Sequence, residues 1–229
     1  FSGISGYSGY SGAAPGLATP TVYGSVYACT CSGAIGNTAV GYCSLVNVTP
    51  LPTTCNVSCG CLNTAMGTCA LAANTTGWTN TAVGNLALSA NTTGTGNVSL
   101  GYGSLLLGTN VVQNTALGYG ALFCNQGVQN IAVGALAGLL LTTGNYNVII
   151  GSNTGTAIAT SNNNIIISDG QGNIRTQFNC CGALSMDGSS YGTSGYVLTT
   201  QGNAAPPAWA AVTGVSQAKA LALVMTLGF

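Results

Sequence analysis

Charged side chains are almost absent from this sequence, and histidine is absent altogether. Only 2% of the 229 residues are charged, namely Asp169, Arg175, Asp187 and Lys219. Such a chain has little electrostatic attraction for nucleic acid, anionic lipid or charged substrates. The composition therefore predicts a protein without a nucleic-acid partner.

The scarcity of ionisable groups also argues against catalysis. Acid–base catalysis needs a histidine, or a carboxylate with a shifted pKa, within reach of a substrate. Asp169 and Asp187 are the only side-chain carboxylates, and both lie in turn-like sequence. A cysteine nucleophile would have no histidine base, and glycoside hydrolysis needs paired carboxylates, which the repeats described below lack. We expect neither an enzyme nor a cofactor.

Long apolar runs are missing as well. The most apolar segment, residues 218–227, contains Lys219 and is shorter than the roughly 20 residues that a membrane-spanning helix needs. We therefore expect no membrane insertion.

Glycine, in contrast, is abundant and, at the start of the chain, regular. Residues 1–12 carry glycine at every third position, which three closely wound extended chains require at their axis. A flexible Gly/Ser linker is the alternative, since proline is missing here. We favour a collagen-like stalk of three chains that continues upstream of Phe1, so we expect the chain to be the end of a longer polypeptide. Residues 13–36 are expected to form a collar that caps the following repeats.

One short motif recurs along most of the chain. Asn80-Thr81-Ala82-Val83-Gly84 has variants that begin at Asn37, Asn63, Asn97, Asn114, Asn130, Asn147 and Asn164. From Asn63 onward the starts are 17 residues apart, with one step of 16. A fixed short period is the signature of a solenoid, in which each repeat forms one coil. Residues 37–168 are therefore predicted to be a β-solenoid, with an irregular insertion at residues 47–62.

Each repeat, numbered from its asparagine, contains two apolar runs. Positions two to four and the glycine at position five predict a short strand followed by a sharp turn. A second strand is predicted to end at a leucine in position nine. We expect positions four and nine to meet inside the coil, and the small residues at positions three and eight to let neighbouring chains approach closely. Stacked asparagine and threonine side chains are expected to form hydrogen-bonded ladders between coils.

Residues 169–229 leave the repeat and are predicted to form a small end module. Residues 195–200 resemble a strand, and the composition of residues 216–227 fits a short terminal helix. The predicted fold is thus all-β: a β-solenoid (β-roll) of about 17-residue repeats, in a homotrimeric fibre with an N-terminal stalk and a C-terminal module.

Ten cysteines are present, seven of them before residue 70. The spacing Cys-x-Cys is narrower than in common zinc sites, so no metal is expected. Disulfides are the favoured interpretation, with open pairing. The candidates are Cys29, Cys31, Cys55, Cys59, Cys61, Cys180 and Cys181. Cys43 and Cys69 share one repeat position, and they fit small buried apolar residues as well.

Aromatic residues are the candidates for surface binding. Tyr42, Tyr102 and Tyr119 all occupy position six of their repeats. Facing outward, they would form a stripe on which sugar rings could stack; packing against neighbouring chains or coils is the alternative. Tyr196 and Trp209 in the end module leave the same two possibilities open.

The motifs resemble a known group of proteins. Asn80-Thr81-Ala82-Val83-Gly84, followed by Ala-Leu and Asn-Thr-Thr-Gly, is similar to repeats in tail fibres and related structural proteins of marine and cyanobacterial phages. It resembles more distantly the head repeats of trimeric autotransporter adhesins. Residues 162–175 resemble the end of such repeat regions, and residues 195–209 resemble a module near phage fibre C-termini.

The resemblance implies a homotrimeric structural protein of a virion, or an extracellular one, that attaches to a host surface. Its partners would be other virion or filament subunits and host surface glycans. An extracellular filament or adhesin without a receptor-specific site is the alternative. Ice binding by threonine rows is a further hypothesis, but position two alternates between Thr, Val and Ile and gives no continuous row.

Overall fold

The computed structural model describes residues 24–25, 37–48, 60–193, 196–199, 201 and 207–211. These residues form an all-β protein whose main feature is a solenoid of coils of about 17 residues. The one helix among them is a single 3₁₀ turn, Thr156–Ile158. The predicted stalk and terminal helix lie outside the described residues, as does the collar apart from residues 24–25. A helix with the length and hydrophobicity needed to span a bilayer is not found in the described part.

Each coil of the solenoid contributes one short strand. In chain order the strands are β1 Gly24–Ser25, β2 Thr38–Val40, β3 Thr64–Met66, β4 Thr81–Val83, β5 Val98–Leu100, β6 Thr115–Leu117, β7 Ile131–Val133, β8 Val148–Ile150, β9 Ile165–Ser168, β10 Ile174–Phe178, β11 Leu184–Ser185, β12 Tyr196–Thr199 and β13 Ala208–Ala211. Strands β1 to β11 form one sheet in sequence order, and β12 pairs with β13.

Strands β2 to β9 are parallel and pair position for position. Thr81 is opposite Val98, Ala82 opposite Ser99, and Val83 opposite Leu100. The repeat motif is therefore the strand, as predicted, and its period is the length of one coil.

Both ends of the parallel stack are covered by antiparallel strands. At the N-terminal end β1 pairs with β2. At the C-terminal end β10 pairs antiparallel with β9, and β11 with β10. Neither outermost parallel strand therefore offers its open edge to another solenoid.

The core lies on the side of the sheet that carries positions one and three. Position three is buried in every coil, and Ala65, Ala82 and Ala116 are fully inaccessible. Positions two and four face outward, because successive side chains of a strand point to opposite sides. The expectation that position four fills the core is therefore wrong: Met66 is 44% exposed and Leu100 42% exposed. The prediction that small residues at positions three and eight line an interface between chains fails for the same reason, since both lie inside.

The second apolar run of each repeat forms turns, which corrects the prediction of a second strand. Position nine is a buried, left-handed leucine in five coils, with φ of 53° at Leu88 and 51° at Leu105, and it is glycine in the later coils. A left-handed residue costs about 1–2 kcal/mol, and burying a leucine contributes about 1.5–3 kcal/mol. Burial therefore offsets the local strain. The turns bond to the next coil, as from the Leu88 N–H to the Ser104 carbonyl at 2.9 Å.

An asparagine ladder runs through the interior, as expected. The Asn80 backbone N–H donates to Oδ1 of Asn63 at 2.9 Å, and Asn80 Nδ2 donates to the Gly94 carbonyl at 2.8 Å. The Asn80 side chain also donates from Nδ2 to Asn63 Oδ1 at 3.1 Å, and its Oδ1 accepts from the Asn97 backbone N–H at 3.0 Å, so it joins its own coil to both neighbours. The members are buried throughout: Asn37, Asn63, Asn80, Asn97, Asn114, Asn130, Asn147 and Asn164.

The glycine at position five is required for two reasons. Gly101 has φ of 131°, a conformation that side chains disfavour. A Cβ at this residue would also lie 2.4 Å from the Gly118 carbonyl oxygen of the next coil. This position therefore tolerates no side chain inside the stack.

Candidate interaction surface

The outward side of the parallel sheet is a regular surface that repeats from coil to coil. It consists of positions two and four of β2 to β9 and is called the outer face here. Position four is apolar in every coil: Val40, Met66, Val83, Leu100, Leu117, Val133, Ile150 and Ile167. With neighbouring strands about 4.8 Å apart, this column is about 34 Å long.

Position two changes character along the outer face. It is threonine in the first coils, as at Thr38 and Thr81, and isoleucine towards the other end, as at Ile131 and Ile165. Ile165 and Ile167 are each 42% exposed, so the C-terminal end of the outer face is apolar in both columns. No charged residue lies on these strands. A continuous, exposed apolar surface of this kind is typical of protein association.

The structure places the three tyrosines of position six at the surface, but it brings only two of them together. Tyr102 is 49% exposed and Tyr119 is 58% exposed. Their rings stack with centroids 5.4 Å apart and an interplanar angle of 11°. Tyr42 is 62% exposed, but Thr68 and Asn85 occupy the same position in the coils between it and Tyr102. The predicted stripe is therefore a two-ring platform.

Tyr196 and Trp209 lie on the paired strands β12 and β13. Tyr196 is 43% exposed, whereas Trp209 is half-buried and its indole Nε1 is buried without a hydrogen-bond partner. The Trp209 ring packs on Gly192, where a Cβ would lie 2.7 Å from it. Beside the ring is a cleft of about 270 Å³, lined by Met186, Asp187, Ser190, Pro207, Ala208 and Trp209.

Both carboxylates serve their own turns. The pKa of Asp169 is lowered to about 2, first by the hydrogen bond from the Asn173 side chain and also by Arg175. The pKa of Asp187 is lowered mainly by the hydroxyl of Ser189. The hydrogen bonds that lower these pKa values all come from residues within six positions along the chain. Each carboxylate, in its ionised form, therefore accepts hydrogen bonds within its own turn.

The cysteines fall into three groups. Cys61 is disulfide-bonded. Cys43, Cys69 and Cys124 are half-buried free thiols, and contact with Cys43 adds to burial in raising the pKa of Cys69. Cys180 and Cys181 are exposed free thiols. The other disulfide candidates, Cys29, Cys31, Cys55 and Cys59, lie outside the described residues. No group of three or more metal-ligating side chains occurs in the described part.

Sequence reasoning missed the outer face because it assigned position four to the core. A signal was available in position one, which is asparagine in every coil, as a hydrogen-bonded ladder requires. Because alternate side chains of a strand point to the same side, position three lies on the side of that ladder and position four lies on the other.

Comparison with known proteins gives no further assignment. No family model, no curated protein and no solved structure matches this chain.

Proposed function

We propose that this chain is a rigid fibre segment of a phage virion, located on the virion or outside the cell, which assembles as a homotrimer through its outer face. The observation that carries the proposal is the continuous, uncharged apolar column on the outer face. Together with the resemblance of the repeats to phage fibre proteins, this column supports a structural role in an assembly.

A second copy of the chain is the partner that fits this surface. Apolar side chains recur at the spacing of the coils, and another outer face carries the same spacing. The face has no charge that would select a charged partner. A neutral, periodic face is therefore matched by an identical one.

A trimer of this chain is better supported than a dimer. A strip about 34 Å long and about 10 Å wide covers roughly 340 Å², less than half of the about 800 Å² per partner in a stable interface. Further contact must come from elsewhere in the chain. The glycine register of residues 1–12 provides for three chains wound together.

The covered ends of the parallel stack favour a discrete rod over an endless filament. Because β1 and β10 run antiparallel to their neighbours, one solenoid cannot continue directly into another by parallel strand pairing. The alternative of chains that stack end to end is therefore less well supported.

Attachment to a host surface is the proposed role of the rod. The Tyr102–Tyr119 platform and the cleft beside Trp209 are the two surfaces that suit sugar rings, which stack on aromatic faces. Other virion subunits would hold the rod in place.

The mass of the protein in solution tests the assembly. At micromolar concentration we expect a trimer, and we expect Leu100→Asp combined with Leu117→Asp to give monomers, because carboxylates would face one another in the interface. Leu107→Asp is the matched control, since Leu107 is 46% exposed but lies off the outer face. A monomeric wild type would refute the trimer, and dissociation of the control as well would refute assembly through the outer face. Electron microscopy of the native material then separates fibres on virions from free filaments.

A further inference from the structure

Cys180 and Cys181 form an exposed pair of thiols at the tip of a hairpin. They lie in the turn between β10 and β11, and their Sγ atoms are 3.8 Å apart. Both side chains are exposed and both are free. The pair is therefore accessible to thiols of another molecule.

A bond between the two cysteines themselves is disfavoured. Adjacent Cα atoms are about 3.8 Å apart across a trans peptide, whereas disulfide-bonded cysteines usually have Cα atoms about 4.4–6.8 Å apart. The other free thiols of the described part are half-buried within the coils at Cys43, Cys69 and Cys124. The exposed pair is thus better suited to bonds between chains than to bonds within one.

The hairpin tip lies at the edge of the outer face. Phe178 pairs with Ile165, and both are exposed, whereas the neighbouring pair Gln177 and Ile166 is buried. Phe178 therefore extends the outer face beyond β9, and Cys180 follows two residues later. Chains that associate through their outer faces would bring these tips close to one another.

We propose that Cys180 of each chain forms a disulfide with Cys181 of the next chain, so that three bonds close a ring around the trimer. The ring depends on the trimer proposed above. One thiol per chain can join two chains at most, whereas two thiols per chain are the number that a closed ring of three requires.

Each bond joins two sulfur atoms and removes two protons and two electrons. A small-molecule disulfide such as oxidised glutathione accepts them and becomes two thiols, through a mixed disulfide with one cysteine that the second cysteine then displaces. The hydrogen bond with Cys180 raises the pKa of the Cys181 thiol, so mildly alkaline buffer favours the reactive thiolate.

Denaturing electrophoresis without reductant tests the ring after oxidation of the full chain with oxidised glutathione. We expect the wild type to run as a covalent trimer. Cys180→Ser and Cys181→Ser should each give no covalent species larger than a dimer, and the double variant should run as a monomer. Cys124→Ser is the matched control and should still give the trimer. Mass spectrometry of the linked peptides should show Cys180 joined to Cys181.

The mass of the reduced protein in solution separates the two proposals. A reduced trimer whose gel pattern is the same for the wild type and all cysteine variants would overturn the ring and leave the trimer intact. A reduced monomer would overturn the trimer and the ring with it. Circular dichroism of the double variant, expected to match that of the wild type, shows that the loss of cross-links is not a loss of folding.

Discussion

Oδ1 of Asn97 accepts a hydrogen bond from the backbone N–H of Asn114 at 2.9 Å, while Nδ2 of Asn97 donates to the Val111 carbonyl at 2.7 Å. One buried amide thus satisfies backbone groups in two successive turns of the chain. An apolar residue of similar size would fill the space and leave both backbone groups unpaired.

Asn97→Ala should therefore destabilise the solenoid strongly. The substitution leaves the Asn114 N–H and the Val111 carbonyl buried without partners, and each unsatisfied group costs about 1–3 kcal/mol. We expect the free energy of unfolding, measured by denaturant titration, to fall by about 3 kcal/mol. Asn85→Ala, at an exposed asparagine whose side chain forms no hydrogen bond with the described residues, is the control and should change it by less than about 0.5 kcal/mol. Equal effects of the two changes would contradict a structural role of the ladder.

A second asparagine row is interrupted at Gly108. Asn91 Oδ1 is buried without a partner, and the equivalent residue of the next coil is Gly108, which has no side chain. Val111 is fully buried, and a Cβ on Gly108 would lie 2.8 Å from its Cγ1. The two positions have therefore changed together, from Asn and Gly in the preceding coil to Gly and Val here.

This arrangement predicts strong coupling between the two positions. Gly108→Asn alone should clash with Val111, and Val111→Gly alone should leave a cavity. The double variant should be close to the wild type in stability, because the introduced amide would then meet Asn91 Oδ1. We expect a coupling energy of about 2 kcal/mol from a double-mutant cycle in denaturant. Additive effects would show that the two positions are independent.

The turn at Asp169 should respond to acid while the solenoid does not. The ionised carboxylate accepts hydrogen bonds from the Asn173 side chain and from the backbone N–H groups of Gln171 and Asn173, which lower its pKa from 3.8 to about 2. Because the folded pKa is the lower one, this stabilisation is present above pH 3.8 and is lost as the pH falls through about 2. The coils contain no aspartate, glutamate or histidine that would titrate in this range.

Amide chemical shifts of Gln171 and Asn173 measure this transition by nuclear magnetic resonance. We expect a midpoint near pH 2 in the wild type. Asn173→Ala should raise the midpoint towards 3.8, because the Asn173 side chain is the largest contributor to the lowered pKa. A wild-type midpoint near 3.8 would show that these hydrogen bonds do not hold in solution.

The stacked tyrosines should contribute to glycan binding if the proposed attachment role is correct. Tyr102→Ala and Tyr119→Ala should each weaken binding to cell-surface glycans by about tenfold, the loss of roughly 1.4 kcal/mol for one aromatic platform. Tyr42→Ala is the matched control, since Tyr42 occupies the same repeat position outside the stack. Glycan-array binding that is unchanged in all three variants, with intact trimers, would reject the platform.

The period of the sequence was enough to predict the architecture but not the orientation of its strands. The spacing from Asn63 to Asn80 equals one coil, and the pairing of Thr64 with Thr81 follows from it. Which side of the strand is buried depends on the asparagine: its hydrogen bond across the coil, as from Asn80 Nδ2 to the Gly94 carbonyl, draws position one inward, and position three follows. Composition alone favoured Val83, the larger apolar residue, over Ala82 as the residue that fills the core.

The second run of each repeat escaped prediction for a different reason. Leucine avoids the left-handed conformation locally, so no propensity could have indicated φ of 53° at Leu88. The conformation is stable only because the stacked coils bury the side chain. The candidate surfaces could be predicted only in part. The repeat position of Tyr102 and Tyr119 identified them from the sequence. The location of Cys180 beside the outer face depends on the register of β10, which the sequence does not show.

Because the parallel strands share one register, the length of the solenoid depends only on the number of its repeats. Every added repeat of about 17 residues would extend the rod by about 4.8 Å and leave its cross-section unchanged. The terminal strands cap whichever coil comes first or last. Gain or loss of whole repeats by recombination would therefore give a longer or shorter rod with the same ends. The reach of the molecule can therefore evolve separately from the chemistry of its tips.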